Sequence, residues 1–130
     1  MYYIVRQCGL SDYIKNKHRH NMQVLQSVYK IEEDTTKDVL LSVISDKYCR
    51  SILKVIIDKP KSAMEITAET KTPISTVYRR IQTLQDSKLL CVSGTISDDG
   101  KKLFLYKSKI KGIQSTFNDG QIEVELILNN

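Results

Sequence analysis

Between Thr72 and Thr83 the chain gathers Thr72, Ser75, Thr76, Tyr78, Arg79, Arg80, Gln82 and Thr83. Every one of these side chains carries a hydrogen-bond donor, so the chemistry they share is recognition of oxygen and nitrogen acceptors. A guanidinium forks onto two acceptors at once, which suits a guanine edge, while Ser, Thr, Gln and Tyr reach phosphate oxygens or base edges. The competing reading is a solvated helix face, because every amphipathic helix is polar on one side. The surrounding elements decide between the two.

Apolar residues in the same stretch fall at helical spacing: Met64, Ile66 and Ala68, then Ile74, Val77, Ile81 and Leu84. Ser62 with Glu65 three positions on is a capping-box pattern. Thr72 followed by Pro73 puts a cap residue before a proline at the first helical position and predicts a second helix over 73–87. Lys61 to Leu90 therefore reads as two short helices around a tight turn, the second carrying paired arginines, which is the layout of a DNA-reading helix-turn-helix. Leu89 to Ile96 and Lys102 to Tyr106 then read as strands, with Asp98-Asp99-Gly100 as the turn signal between them. A helix-turn-helix followed at once by a hairpin is the winged form. The wing tip, 97–102, offers Lys101 and Lys102 to phosphates, while Asp98 and Asp99 oppose deep insertion.

Upstream, Thr35 with Asp38 reads as another capping box, and Ser45-Asp46 as a fresh cap before a helix that Pro60 ends. Leu40, Leu41, Val43 and Ile44, then Tyr48, Ile52, Leu53, Ile56 and Ile57, supply the apolar faces. Met22, Leu25, Val28 and Tyr29 suit a further helix leading into the acidic run Glu32-Glu33-Asp34. Downstream, KGIQSTF and QIEVELIL alternate around Asn118-Asp119-Gly120, a strong hairpin signal with Ile122, Val124, Leu126 and Leu128 on one face. So long an apolar face has to be buried. It either extends the wing sheet over the core or meets the same element of a second subunit, and the second option is favoured because a three-helix core with a wing is normally self-sufficient. The fold class is α+β: three to four helices, a wing, and an additional C-terminal β-hairpin.

LSVISDKYCRSILKVI, then SAMEITAETKTPISTVYRRIQTLQDSKLL, then the wing resembles the ArsR-like winged helix-turn-helix regulators, particularly their archaeal members, over about Thr35 to Lys109. The resemblance implies a dimeric transcription regulator that binds double-stranded DNA in a sequence-specific way through Ser75, Thr76, Tyr78 and Arg79. It also makes the segment from Met22 a dimer-helix candidate, with packing onto its own domain as the alternative. The metal-sensing branch places a cysteine pair on the helix before the turn. MEITAET has none, so metal sensing at that position is not expected.

The 130 residues bound the chain to one domain with attachments. Its net charge is +5, unevenly spread: Lys59 to Lys111 holds eleven basic against five acidic residues, whereas Gly112 to Asn130 holds three acids and no base. A basic unit beside an acidic tail fits nucleic-acid binding with a separate structural or partner-facing element. Cys8, Cys49 and Cys91 are dispersed, which suggests no disulfide framework, a reducing compartment, and small buried roles for Cys49 and Cys91. His18 and His20 lack a third ligand, so no metal is assigned and no cofactor is implied. MYYIV is too short for a signal segment, and no membrane span is apparent, which places the protein in the cytoplasm.

The expected organisation is a basic N-terminal extension over 1–21, a helix and acidic linker over 22–34, the winged domain over 35–109, and the hairpin over 110–130. The extension reads as an arm that adds phosphate contacts or, the favoured reading, as a disordered tail or a stretch preceding a start at Met22, and MYYIVRQCGL also suits a short strand. No catalytic constellation is present, and an enzyme is not expected. Beside the DNA reader stands one alternative, a winged helix used as a protein-contact module in a transcription-associated complex.

Overall fold

The computed structural model describes Tyr2–Ile4 and residues 27–129. Strand β1 (Tyr2–Ile4) and strand β2 (Val28–Ile31) are followed by four helices: α1 (Asp34–Ser45), α2 (Lys47–Val55), α3 (Ala63–Thr70) and α4 (Ile74–Asp86). Four strands then follow: β3 (Leu90–Ile96), β4 (Lys102–Ser108), β5 (Ile110–Asn118) and β6 (Gln121–Leu128). The strands form two antiparallel sheets, ordered β1-β3-β4 and β2-β6-β5. This is an α+β winged helix-turn-helix arrangement with an extra C-terminal hairpin.

Local chemistry explains most helix boundaries. The Asp46 carboxylate accepts from the Cys49 N–H and starts α2. Ser62 and Glu65 form a reciprocal capping box at the start of α3. Lys71 ends α3 in a left-handed conformation, φ 55°, with its N–H on the Thr67 carbonyl. That cap turns the chain sharply into α4. The start of α4 falls one residue later than Thr72-Pro73 predicted: Pro73 is extended and is itself the cap, its carbonyl accepting from the Val77 N–H. Thr72 is buried, its hydroxyl directed at the Thr70 carbonyl rather than at the helix. The capping box at Thr35 and Asp38 does not form either. Helix α1 begins at Asp34 behind Glu33, whose carboxylate is taken by the Thr36 hydroxyl at 2.7 Å.

A single apolar cluster joins the helices to both sheets. Ile52, Ile56, Ile66, Val77 and Leu84 from α2, its C-cap, α3 and α4 pack with Leu89, Leu90 and Val92 of the wing and with Val124, Leu126 and Leu128 of β6. The C-terminal hairpin thus covers the core of its own chain. It does so through a sheet shared with β2, not by extending the wing sheet, and the helical core is not closed without it. Of the helix expected from Met22, Val28 and Tyr29 lie instead in a strand, Val28–Ile31, paired with β6 from Val28 opposite Ile127 to Ile31 opposite Val124, while Met22 and Leu25 fall outside the described residues. Three apolar residues assigned to helix cores, Met64, Ala68 and Ile74, are exposed instead.

The two sheets meet where β4 runs into β5 with only Lys109 between them. Here the Ser108 N–H donates to the Ile56 carbonyl, the Lys109 N–H to the Leu89 carbonyl, and the Asn129 side chain to the carbonyls of Ile57 and Ser108. These bonds fix the wing and the C-terminal hairpin to the end of α2. A second tie reaches the wing from the loop before α3, where Lys61 and Tyr106 exchange backbone hydrogen bonds of 3.0 and 2.8 Å. Backbone pairing of Tyr2–Ile4 with Thr95, Gly94 and Ser93 adds a third strand to the wing sheet, in keeping with the strand reading of MYYIVRQCGL for these three residues. The remaining N-terminal expectations, including the basic arm, Cys8, His18 and His20, lie outside the described residues.

Candidate nucleic-acid interface

Helix α4 is sharply two-sided. Val77, Ile81 and Leu84 are buried at spacings of three and four, and this registration turns Ser75, Tyr78, Arg79, Gln82 and Thr83 outward. Thr76 is half-buried at the margin. Along the outer face the Thr83 hydroxyl donates to the Arg79 carbonyl and the Gln82 amide to the Asp86 carboxylate at 2.9 Å. Arg79 is exposed and makes no ion pair among the described residues. Ile74 and Tyr78, one turn apart, add an apolar element to this face, with 36% and 54% of their surface open. Apolar contact is what a thymine methyl offers, so these residues do not conflict with base reading.

The two arginines differ. Arg80 turns back onto the scaffold: its Nε donates to Asp46 Oδ2 at 2.8 Å, its second contact to Oδ1 is 3.4 Å, and its guanidinium lies 5.3 Å from the Tyr48 ring centre. The hydrogen bond from Arg80 holds the Asp46 carboxyl below the usual carboxylate range. One carboxylate therefore caps α2 and pins α4. Arg79 points outward and Arg80 holds α4 against α2. Sequence reasoning missed the role of Asp46 in this pair. It identified Asp46 as a cap, but its partner lies 34 positions away, and only the packing of α2 against α4 joins them.

The wing tip is closed by its own polar residues. Ser97 and Lys101 exchange backbone and side-chain bonds, Gly100 takes φ 84°, and the Asp99 carboxylate accepts from the Ser97 hydroxyl and the Lys101 N–H. The hydrogen bond from Ser97 keeps the Asp99 carboxyl below its ordinary value. Asp99 is thus engaged in shaping the turn. The Lys101 and Lys102 side chains lie on the exposed wing, the latter with its ammonium 5.7 Å from the Phe104 ring centre.

The remaining chemistry lies elsewhere. Cys49 is free and 2% exposed, and burial pushes its thiol up to about 12, which makes it an inert core residue. Cys91, expected to be an unpaired small residue, is instead disulfide-bonded and half-buried on β3. Among the described residues no three His, Cys, Asp or Glu side chains converge as a metal site, and no helix is long and apolar enough to cross a membrane. A cleft of about 530 Å³ opens at the far end of α4, but Glu32, Glu33 and Asp86 on its walls set it apart from the basic surface.

Comparison with known proteins agrees with this geometry at the level of the domain. A family model described as a helix-turn-helix domain matches residues 44–92, from the end of α1 to the third residue of β3. No curated protein and no solved structure matches the chain. A winged helix-turn-helix domain is present, and its presence supports a DNA-binding regulatory role in general.

Proposed function

We propose that the protein is a sequence-specific transcriptional regulator of the ArsR-like kind that places α4 in the major groove of double-stranded DNA. The observation that carries this reading is the outer face of α4, where Arg79 stands exposed among Ser75, Tyr78, Gln82 and Thr83 while Arg80 is held on Asp46. Ser75 and Thr76, at the start of the helix, approach the groove first. Arg79 is the residue for bidentate base contact, and Thr83 with the backbone around it follows the strand. Lys101 and Lys102 of the wing take phosphates, which orients the domain without selecting sequence. Thr72 and Arg80 drop out as direct contacts, because the first is buried and the second is paired. A homodimer presents two such helices to successive major grooves about 34 Å apart.

Ile74 and Tyr78 favour a second reading, in which the same surface docks a protein of the transcription apparatus. Fluorescence anisotropy with random-sequence and genomic duplexes at two salt concentrations separates the two. The DNA reader binds both, loses affinity steeply with salt, and loses about 1 to 3 kcal/mol on a preferred duplex when Arg79 becomes Ala. No binding at low salt overturns it in favour of the protein-contact module.

A further inference from the structure

Strand β5 carries an open edge. On one side it pairs with β6 from Ile110 opposite Leu128 to Asn118 opposite Gln121, and no described strand pairs with the other. Asp119 and Gly120, at φ 53° and 75°, make the two-residue connection of a type I′ hairpin, so Asn118 and Gln121 form its hydrogen-bonded closing pair. Alternation from there directs the N–H and C=O of Phe117, Ser115 and Ile113 away from β6. Exposed edges of this kind are normally blunted by charge or proline. Between Gly112 and Asn118 this one has neither, and Phe117 beside it is 73% exposed.

We propose that this edge pairs with the same edge of a second copy, antiparallel about a two-fold axis at Ser115, so that the sheets β2-β6-β5 of the copies become one continuous sheet. The register follows from self-complementarity. With Ser115 opposite Ser115, Ile113 of each copy stands opposite Phe117 of the other, an aliphatic-aromatic cross-strand pair that covers the exposed ring. The same register sets Lys111, the bulge residue, beside Asp119 of the other copy, so the two exposed charges nearest the edge meet with opposite sign. Gly112, Gln114, Thr116 and Asn118 fill the rest of the strand without like-charge repulsion. Moving the axis to Ile113 loses both the apolar and the charge match.

This interface supplies the dimer on which the two-groove docking above rests. Light scattering after size exclusion, on the full chain without DNA, tests it separately from DNA reading. The wild-type chain is expected at twice its mass of 14.9 kDa. Ser115→Pro removes only an N–H that points away from β6, so the hairpin is kept, and proline is tolerated at such edge positions. That variant and Phe117→Lys are each expected to weaken the dimer by at least about tenfold. Lys111→Glu, which faces Asp119 with a second acid, weakens it less and most at low salt. A wild-type chain that stays at 14.9 kDa across a dilution series overturns the proposal, as does a dimer that survives both Ser115→Pro and Phe117→Lys. Titrating the monomeric variant with a half-site duplex reads the DNA surface alone, so a failed interface and a failed reading head give different results.

Discussion

The wing hairpin and the C-terminal hairpin have similar sequence signals, alternating strands around an Asp-Gly turn, but opposite fates. In the wing only the base is sealed: Leu105 and Tyr106 are buried while Ile96, Leu103 and Phe104 remain about two-fifths open. In β6 the alternation is buried along most of the strand, with Val124 and Leu126 fully enclosed against the helices. The difference is one of support. The outer part of the wing is joined among the described residues only by β1, whereas β6 is held between β2 and β5 with α1 beneath it and Lys37 donating to its Ile122 carbonyl. The outer part of the wing stays exposed, and β6 of the other hairpin completes the core. The same division runs through neighbouring residues of α4, with Arg79 outward and Arg80 on the scaffold.

Substitutions on the two sides of this division should separate stability from binding. Leu126→Ala, in the fully buried strand, is expected to cost about 2 to 5 kcal/mol in urea unfolding, the range for enlarging a packed core. Were the loss below about 1 kcal/mol, the hairpin would not be part of the core. Next in size is Asp46→Ala, which removes a helix cap worth on the order of 1 kcal/mol together with the anchor of Arg80. The Asp46 carboxyl also gives this contribution a pH signature. Its folded pKa lies below the ordinary value of 3.8, so its stabilisation is present above that pH and fades as pH falls through the folded value. Asp46→Asn should therefore flatten the stability profile on the acid side, read by thermal unfolding in a pH series.

Smaller effects are expected at the wing. Lys101→Ala should weaken binding to all duplexes alike, with a shallower salt dependence and an unchanged unfolding midpoint, whereas a sequence-dependent loss would put Lys101 in a groove. Leu103→Ala, at a partly exposed site, should change stability by no more than about 0.5 kcal/mol. A loss as large as that at Leu126 would erase the contrast between the hairpins.

Much of this arrangement is legible in the sequence because its causes are local. The capping box at Ser62 and Glu65, the cap at Asp46, the apolar stripe of Val77, Ile81 and Leu84, and the two hairpin turns all act within a few residues of themselves. The misreadings have non-local or degenerate causes. Val28 and Tyr29 fit a helical period, but they are β-formers whose pairing partners Ile127 and Leu126 lie at the opposite end of the chain. Around Glu32 to Asp38 several adjacent residues are able to cap, and composition alone does not choose among them. Helical spacing sets Arg80 at the edge of the polar face that Arg79 occupies, but both remain contact candidates until the packing that brings Asp46 beneath α4 separates them.

That distinction is also where the account is most directly tested. Arg79→Ala and Arg80→Ala, each measured by duplex anisotropy and by urea unfolding, should give opposite results. Arg79→Ala is expected to weaken binding to a preferred duplex by about tenfold or more with its unfolding midpoint unchanged, and Arg80→Ala to lower the midpoint while the folded protein retains most of its affinity. If Arg80→Ala abolishes binding without loss of stability, and Arg79→Ala leaves affinity intact, the assignment of the reading face is contradicted.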